Sequence, residues 1–408
     1  MLAQWRTPVR RRFPLAVYFF LVGFVPANWL VRIPDVKEQV GASAASLGLA
    51  LLAGSVGGLL MTPLGGRLAM RIGTRPPIAF GAVLLSLAIV LPALATNVRW
   101  LGAALIVLTV IHSMFNVSLN SAAVEVEAAY GRSIMPTLHG TYSVGGLVGA
   151  VVGGFAAGRV SPTVHLAVIG ALSLVVVALF APRMLRADAG GTTPAAHTDP
   201  KQATPARTKH LGIIVLFGVI GLCTAWGEFA ANNWANLHLR ENLGASASVA
   251  AYVFAAYSCA IAAGRLLGSP VIRRIGATAV LTGGFLVAAV GMVNAAWASH
   301  IDGGGLPLAI AGYVLLGLGL ANVYPIAIAR AGAIGGPRGV SRVVLLAGAG
   351  ILGQGPIIGF LADQFGLPWA LTTVPILAVI AAGIGLSLRR YNNYAAVLPA
   401  VETERSQA

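Results

Sequence analysis

Residues 163–181 read TVHLAVIGALSLVVVALFA, a run of 19 residues without a charged side chain. A helix of about 20 apolar residues is long enough to cross the hydrocarbon core of a bilayer, which is roughly 30 Å thick. Similar apolar stretches recur along the whole chain, and most are separated by loop residues such as Gly73-Thr74-Arg75-Pro76. The sequence therefore predicts an all-α membrane protein with twelve transmembrane helices. They are expected at about 14–36, 45–70, 76–96, 99–124, 135–159, 163–181, 211–237, 248–272, 277–299, 305–328, 341–363 and 367–389.

The composition supports the membrane assignment. The chain has 408 residues, of which 57% are hydrophobic and 10% charged, whereas soluble domains carry about 25% charged residues. A membrane β-barrel would show short alternating segments instead of long apolar runs. The net charge of +15 does not indicate nucleic-acid binding, because the basic residues lie at helix ends. The expected macromolecular environment is a lipid bilayer, with no nucleic-acid partner.

The distribution of lysine and arginine predicts the orientation. If the N-terminus is cytoplasmic, 22 of the 27 basic residues fall on the cytoplasmic side, with Arg265 counted among them, and five fall outside. Basic residues are retained on the cytoplasmic side of membrane proteins. We therefore expect both termini in the cytoplasm and a bacterial inner (plasma) membrane location. The run Arg10-Arg11-Arg12-Phe13 resembles a leader, but no convincing cleavage site follows, so an uncleaved first helix is expected.

Short motifs repeat at a nearly constant spacing. Val40-Gly41-Ala42-Ser43-Ala44 recurs as Leu243-Gly244-Ala245-Ser246-Ala247, and Arg71-Ile72-Gly73 recurs as Arg274-Ile275-Gly276, both at an offset of 203. Transporters built from parallel repeats have this plan. We predict two pseudo-symmetric six-helix halves, 1–181 and 211–391, joined by a polar cytoplasmic linker over 182–210 and followed by a cytoplasmic tail over 392–408.

One loop motif carries a family resemblance. The stretch Gly66-Arg67-Leu68-Ala69-Met70-Arg71-Ile72-Gly73-Thr74-Arg75 resembles the signature that joins helices two and three in the major facilitator superfamily, with Met70 where that signature has an acidic residue. Three further stretches resemble the bacterial branch of this superfamily that contains YbjJ and fucose-permease-like carriers. They are Arg32-Ile33-Pro34, the run from His139 to Gly146, and Glu228 followed by Asn233-Trp234. That branch often has Asp at the position of Asn233. The resemblance implies a monomeric secondary transporter that works by alternating access.

Glu228 is the carboxylate that lies well inside a predicted helix. Ionisable groups within membrane helices are costly to insert and are therefore functional candidates. We predict that Glu228 binds and releases the coupling proton. The structural alternative is a glutamate held permanently by neighbouring asparagines.

Several polar residues are candidates for substrate binding. His112, Asn116 and Asn120 share one face of helix four at intervals of four residues. Asn28 and Trp29 in helix one match Asn233 and Trp234 in helix seven, and an aromatic ring beside an amide suits a sugar-like solute. For the two tryptophans the alternative is the aromatic belt at the membrane interface. The remaining candidates are His139, Tyr142, Asn232, Asn322 and Gln354.

Four charged residues are predicted to form a latch at the cytoplasmic end of the first half. Glu125 and Glu127 should lie near Arg71 and Arg75, where ion pairs could hold one conformation and break in the other. A solvated charge cluster of little energetic weight is the alternative.

These features favour transport of a small polar solute, coupled to protons or another ion. No GxxxxGK[ST] motif for ATP binding is present. The two cysteines, Cys223 and Cys259, and the histidines do not have the spacing of metal ligands. We therefore expect no metal, no cofactor and no enzymatic activity. The alternatives are drug or metabolite efflux and a membrane sensor that does not transport.

Overall fold

The structure is a computed structural model that describes residues 2–130, 134–186, 211–301 and 305–389. Within these ranges the chain is helical and no β-strand occurs. The first half contains α1 (Leu2–Gln39), α2 (Ala44–Ile72), α3 (Arg75–Ala88, then a 3₁₀ turn at Leu91–Leu94), α4 (Val98–Tyr130), α5 (Met135–Ala156) and α6 (Pro162–Arg186). The second contains α7 (Leu211–Leu243), α8 (Ala247–Ile275), α9 (Ala277–Trp297, then a 3₁₀ turn at Ala298–His300), α10 (Gly305–Gly336), α11 (Arg338–Phe365) and α12 (Leu367–Ser387).

The helices have the lengths that membrane crossing requires. Eleven helical segments of the described chain are long and apolar enough to span a bilayer. The remaining helix, α5, has 22 residues and packs against α1 and α8. The prediction of an all-α membrane fold is confirmed. The linker predicted over 182–210 begins within α6 for its first five residues and otherwise lies outside the described residues, as does the tail over 392–408.

Two helices of the second half are interrupted. α10 breaks after Leu320 and resumes at Val323, with Asn322 at the start of the new segment. Gly336, with φ of +57°, separates α10 from α11 in a backbone conformation that favours glycine. α12 consists of two pieces, Leu367–Leu371 and Thr373–Ser387.

The two halves of the structure show the same repeat as the sequence, most clearly in α2 and α8. α2 and α8 each have 29 residues. Each begins with a serine, Ser43 or Ser246, whose side chain accepts a hydrogen bond from the backbone N–H three residues later. Each ends at a glycine with positive φ, +82° at Gly73 and +84° at Gly276. The offset of 203 residues therefore relates equivalent caps of equivalent helices.

The two halves meet mainly through three helix pairs, α1 with α7, α2 with α11 and α5 with α8. Many of the joining hydrogen bonds gather at one end of the molecule, where α1 and α7 end and α2 and α8 begin. We call this the closed end. Asp363 of α11, for example, accepts hydrogen bonds from the backbone N–H groups of Ala44 (2.8 Å) and Ala45 (3.0 Å) at the start of α2.

Candidate functional site

Two opposite charges lie together in the second half, away from the ends of their helices. Arg265 of α8 donates from Nη2 to Oε1 of Glu228 in α7 over 3.3 Å. The Arg265 side chain is 45% exposed and that of Glu228 28%. Both charges therefore reach an accessible space between the helices. The distance exceeds the 2.7–2.9 Å typical of a charge-assisted hydrogen bond, so the pair is loosely held.

The placement of Arg265 corrects the sequence analysis, which counted it with the cytoplasmic arginines. α8 continues for ten residues after Arg265 before it ends at Ile275, about 15 Å along a helix. Arg265 therefore lies inside the membrane-spanning helix. Its position within an apolar run was the signal that could have identified it.

Helix α5 of the first half approaches this pair from the other side. Tyr142, which is 39% exposed, lies within electrostatic reach of both Glu228 and Arg265. His139, one turn earlier and also exposed, lies within reach of Arg265 and packs edge-on against Phe19 with ring centroids 5.5 Å apart. The structure thus brings three predicted residues, Glu228, Tyr142 and His139, to one cluster that spans both halves.

Three further residues of the second half border Glu228. Asn232 is partly exposed and follows Glu228 by four residues, which places it on the same face of α7. Tyr257 of α8 donates from its hydroxyl to the Glu228 carbonyl oxygen over 3.4 Å. Tyr324 of α10 also lies within electrostatic reach of Glu228. We call Glu228, Arg265, Tyr142, His139 and Asn232 the central cluster.

Asn322 has a different position from the other candidates. Its Nδ2 donates to the Gly264 carbonyl oxygen over 2.8 Å, at the break in α10. Next to this contact, Arg265 Nε donates to the Ala321 carbonyl oxygen over 3.4 Å. Asn322 therefore ties α8 to α10 directly beside the arginine of the central cluster.

Three of the predicted binding residues lie at intervals of four along α4. His112, Asn116 and Asn120 are all partly exposed, and Asn120 Nδ2 donates to the Asn116 backbone carbonyl oxygen and to its Oδ1. His112 Nδ1 is buried and has no hydrogen-bond partner among the described residues. No described contact joins this face to the central cluster.

The matched Asn–Trp pairs lie in packed surroundings. Asn28 is fully buried and bonds Phe24 and His165, and Trp29 is 5% exposed. Trp234 is fully buried, and its Nε1 donates to Oε1 of Gln354 over 3.1 Å. Asn233 is buried beside it. In this conformation Asn28, Trp29, Asn233, Trp234 and Gln354 are buried, whereas the residues of the central cluster are at least partly exposed.

A buried arginine organises the closed end, and sequence reasoning missed its role. Arg32, 1% exposed, donates to His165 (2.9 Å), to Asp35 (2.8 Å) and to the carbonyl oxygens of Ala156 and Val160. Asp35 in turn forms an ion pair with Arg240 of the other half. Lys37 and Glu241 form a second, more exposed pair over 2.7 Å.

The four residues of the predicted latch lie at the opposite end of the first half. Glu125 accepts a hydrogen bond from Thr74 over 3.2 Å. Glu127 accepts from the backbone N–H groups of Ile134 and Met135. Arg71 is exposed, and Arg75 is partly exposed at the start of α3. The carboxylates thus receive hydrogen bonds at the turns into α3 and α5, while the latch itself stays a prediction.

Eleven helices long and apolar enough to span a bilayer, together with α5, form two related halves that are joined at the closed end. A charged pair lies within the helices of the second half, and this architecture is that of a polytopic membrane protein. Comparison with known proteins gives the family. The family model described as Major Facilitator Superfamily matches twice, at residues 15–220 and 217–405, and the chain belongs to this superfamily. Its members are transporters and not enzymes.

Similar proteins agree with this assignment. An uncharacterised major-facilitator-type transporter of Yersinia pestis is 31% identical over 383 residues, which cover 91% of this chain and 94% of the relative. A solved bacterial homologue of the human lysosomal transporter Spinster, in an inward-facing and unoccupied conformation, superimposes with a TM-score of 0.77 at 15% identity, over 97% of this chain and 99% of the other. The nucleoside transporter NupG gives a TM-score of 0.70 at 14% identity, over 93% of this chain and 99% of the other.

Proposed function

We propose that this protein is a proton-coupled carrier of a small polar solute, acting by alternating access, with the central cluster as its substrate and coupling site. The observation that carries the proposal is the loose, partly exposed pair of Glu228 and Arg265 inside the membrane-spanning helices. An ionisable pair at this depth is expensive to keep and marks a pathway for substrate or protons.

Glu228 suits the coupling role because its protonation state decides whether Arg265 is paired. When ionised, it pairs with Arg265. When protonated, it no longer attracts the guanidinium, and Arg265 becomes free to engage another group. A proton taken up from one side therefore changes what the cluster can bind, which is the requirement for coupling.

The remaining members of the central cluster suit a polar solute. Tyr142 and Asn232 provide hydroxyl and amide groups that can both donate and accept hydrogen bonds. Because Tyr142 belongs to α5 and Asn232 to α7, a solute held by both would contact the two halves together. Binding there can stabilise an occluded state.

The closed end supports the alternating-access part of the proposal. The ion pairs at this end join α1 to α7, and Asp363 joins α11 to α2. With both termini in the cytoplasm of a bacterial inner membrane, as the basic residues favour, the closed end is periplasmic and the central cluster opens inward. The solved Spinster homologue is in an inward-facing conformation of its own.

Transport by the purified protein in proteoliposomes tests this function. Labelled sugars, nucleosides, amino acids and carboxylic acids are offered with and without an imposed pH gradient, acid on the outside of the vesicle. The proposal expects at least one solute to accumulate only when the gradient is imposed. Glu38→Gln removes an exposed acid at the closed end and, as the control variant, should accumulate the same solute. A protein that binds one of these solutes but never moves it would be a sensor instead.

A further inference from the structure

The central cluster contains a feature that a carrier for neutral solutes does not require, namely a half-exposed arginine. Arg265 makes two described hydrogen bonds, to Glu228 at 3.3 Å and to the Ala321 carbonyl oxygen at 3.4 Å. Both are long, and 45% of the side chain stays exposed. A guanidinium has five N–H donors in a planar fork that matches a carboxylate. The two described bonds use Nε and Nη2, so the N–H groups of Nη1 have no described hydrogen-bond acceptor.

We propose that the transported solute is a small organic monoanion whose carboxylate binds Arg265, in exchange for Glu228 as Glu228 takes up the coupling proton. This inference rests on the proposed transport function and names its substrate class. Two acids compete for one guanidinium, the glutamate of the protein and the carboxylate of the solute. Protonation of Glu228 decides the competition in favour of the solute.

The balance of charge supports a monoanion. In the empty site the charges of Glu228 and Arg265 cancel. If one proton neutralises Glu228 and a neutral solute enters, the site keeps the unpaired positive charge of Arg265 while the halves rearrange. An unpaired charge in a low-dielectric interior is strongly unfavourable. If a monoanion enters with the proton, its carboxylate pairs with Arg265, and the loaded site is again neutral.

The groups that face the pair agree with this class. Tyr142 from α5, Tyr257 from α8 and Tyr324 from α10 lie within electrostatic reach of Glu228, and His139 from α5 lies within electrostatic reach of Arg265. Tyrosine hydroxyls can donate to a carboxylate without adding charge. A dianion such as a phosphate ester would require a second permanent cation, and no described interaction places one beside Glu228 and Arg265. One arginine fits one negative charge.

A binding experiment tests the substrate class without relying on transport. The full-length protein in detergent is mixed at pH 5.5 with millimolar carboxylates (glucuronate, gluconate, lactate) or with neutral counterparts (glucose, sorbitol, propanediol), and its melting temperature is measured. The carboxylates are expected to stabilise the protein more than their counterparts. Arg265→Gln should weaken carboxylate binding about tenfold or more, the value of a charge-assisted hydrogen bond. If Arg265→Gln weakens binding because the positive charge is lost and not because the protein is misfolded, Arg265→Lys should retain part of the binding.

Two variants separate this role from a structural one. Glu228→Gln removes the competitor and should leave carboxylate binding at pH 7.5 as tight as at pH 5.5, whereas the unmodified protein binds more weakly at pH 7.5. Arg274→Gln, an exposed arginine at the end of the same helix, should bind like the unmodified protein. Equal melting shifts with both solute classes, no carboxylate response, or a response that survives Arg265→Gln would overturn the inference.

Transport measurements distinguish the two proposals. In proteoliposomes, a carboxylate should accumulate with the pH gradient at a rate that a potassium diffusion potential does not change, because the loaded and empty sites are both neutral. A neutral solute that accumulates under the same gradient and responds to the potential would overturn the monoanion inference and leave proton-coupled transport standing. Carboxylate binding that depends on Arg265 but occurs without any accumulation would leave the carboxylate site standing and overturn the transport proposal.

Discussion

Gly48 of α2 and Gly355 of α11 lie backbone against backbone at the contact between the two halves. A methyl group added at Gly48 would be 2.2 Å from the carbonyl oxygen of Gly355, far inside van der Waals contact. Small residues allow membrane helices to approach this closely. The closed end therefore depends on the absence of a side chain at position 48.

The first prediction concerns this contact. Gly48→Ala should force α2 away from α11 and widen the closed end, which lowers the transport rate. Spin labels at the exposed positions Leu49 of α2 and Gln364 of α11, in a background without Cys223 and Cys259, should show a longer and broader distance distribution.

Gly283→Ala provides the matched control, since a methyl group at Gly283 meets no atom within 4 Å. It should leave the distance unchanged and can stabilise α9 by about 1 kcal/mol, the helix-propensity difference. An unchanged distance in Gly48→Ala would contradict the packing described here.

The second prediction compares the two ion pairs of the closed end. Asp35 receives hydrogen bonds from buried Arg32 and from Arg240, and its side chain is 17% exposed. Asp35→Asn leaves Arg32 without its anion, so the loss of stability should approach about 3 kcal/mol, as for a broken buried pair. Glu241→Gln removes a pair whose acid is 46% exposed and should cost less than about 1 kcal/mol. Melting temperatures of the purified variants in detergent measure the difference, and equal values would be inconsistent with a buried network around Arg32.

The third prediction concerns Trp234, which the sequence suggested as a substrate contact. Its Nε1 hydrogen bond to buried Gln354 would be lost in Trp234→Phe, and the unsatisfied Gln354 oxygen should cost about 1–3 kcal/mol of stability. The KM for the solute should not change. A raised KM at unchanged melting temperature would show instead that Trp234 touches the substrate.

The sequence was sufficient for the framework of this fold. Apolar length predicted the helices, and the recurrence at 203 residues predicted the halves, because both signals are local or periodic. The matched caps at Ser43 and Ser246 show how a short motif, a serine before an apolar run, fixes the start of a helix.

The site was predictable only in part. Glu228 was found because a carboxylate within an apolar run is conspicuous by itself. Its partner Arg265 lies within the span predicted at 248–272, yet it was counted on the cytoplasmic side, because a count of basic residues by side has no category for an arginine inside the membrane. Asn28 and Trp234 were predicted to bind substrate. In the structure Asn28 is hydrogen-bonded to His165 and Trp234 to Gln354, each more than 100 positions away in the sequence. Such partners are set by tertiary packing, which residue spacing does not encode.

The central claim is that Glu228 carries the coupling proton, and one comparison in proteoliposomes tests it most directly. For a solute that the unmodified protein accumulates under a pH gradient, Glu228→Gln and the control Glu38→Gln are assayed both for accumulation and for exchange of internal against external solute. The account predicts that Glu228→Gln loses accumulation but still exchanges solute, whereas Glu38→Gln does both. Full pH-driven accumulation by Glu228→Gln would contradict it.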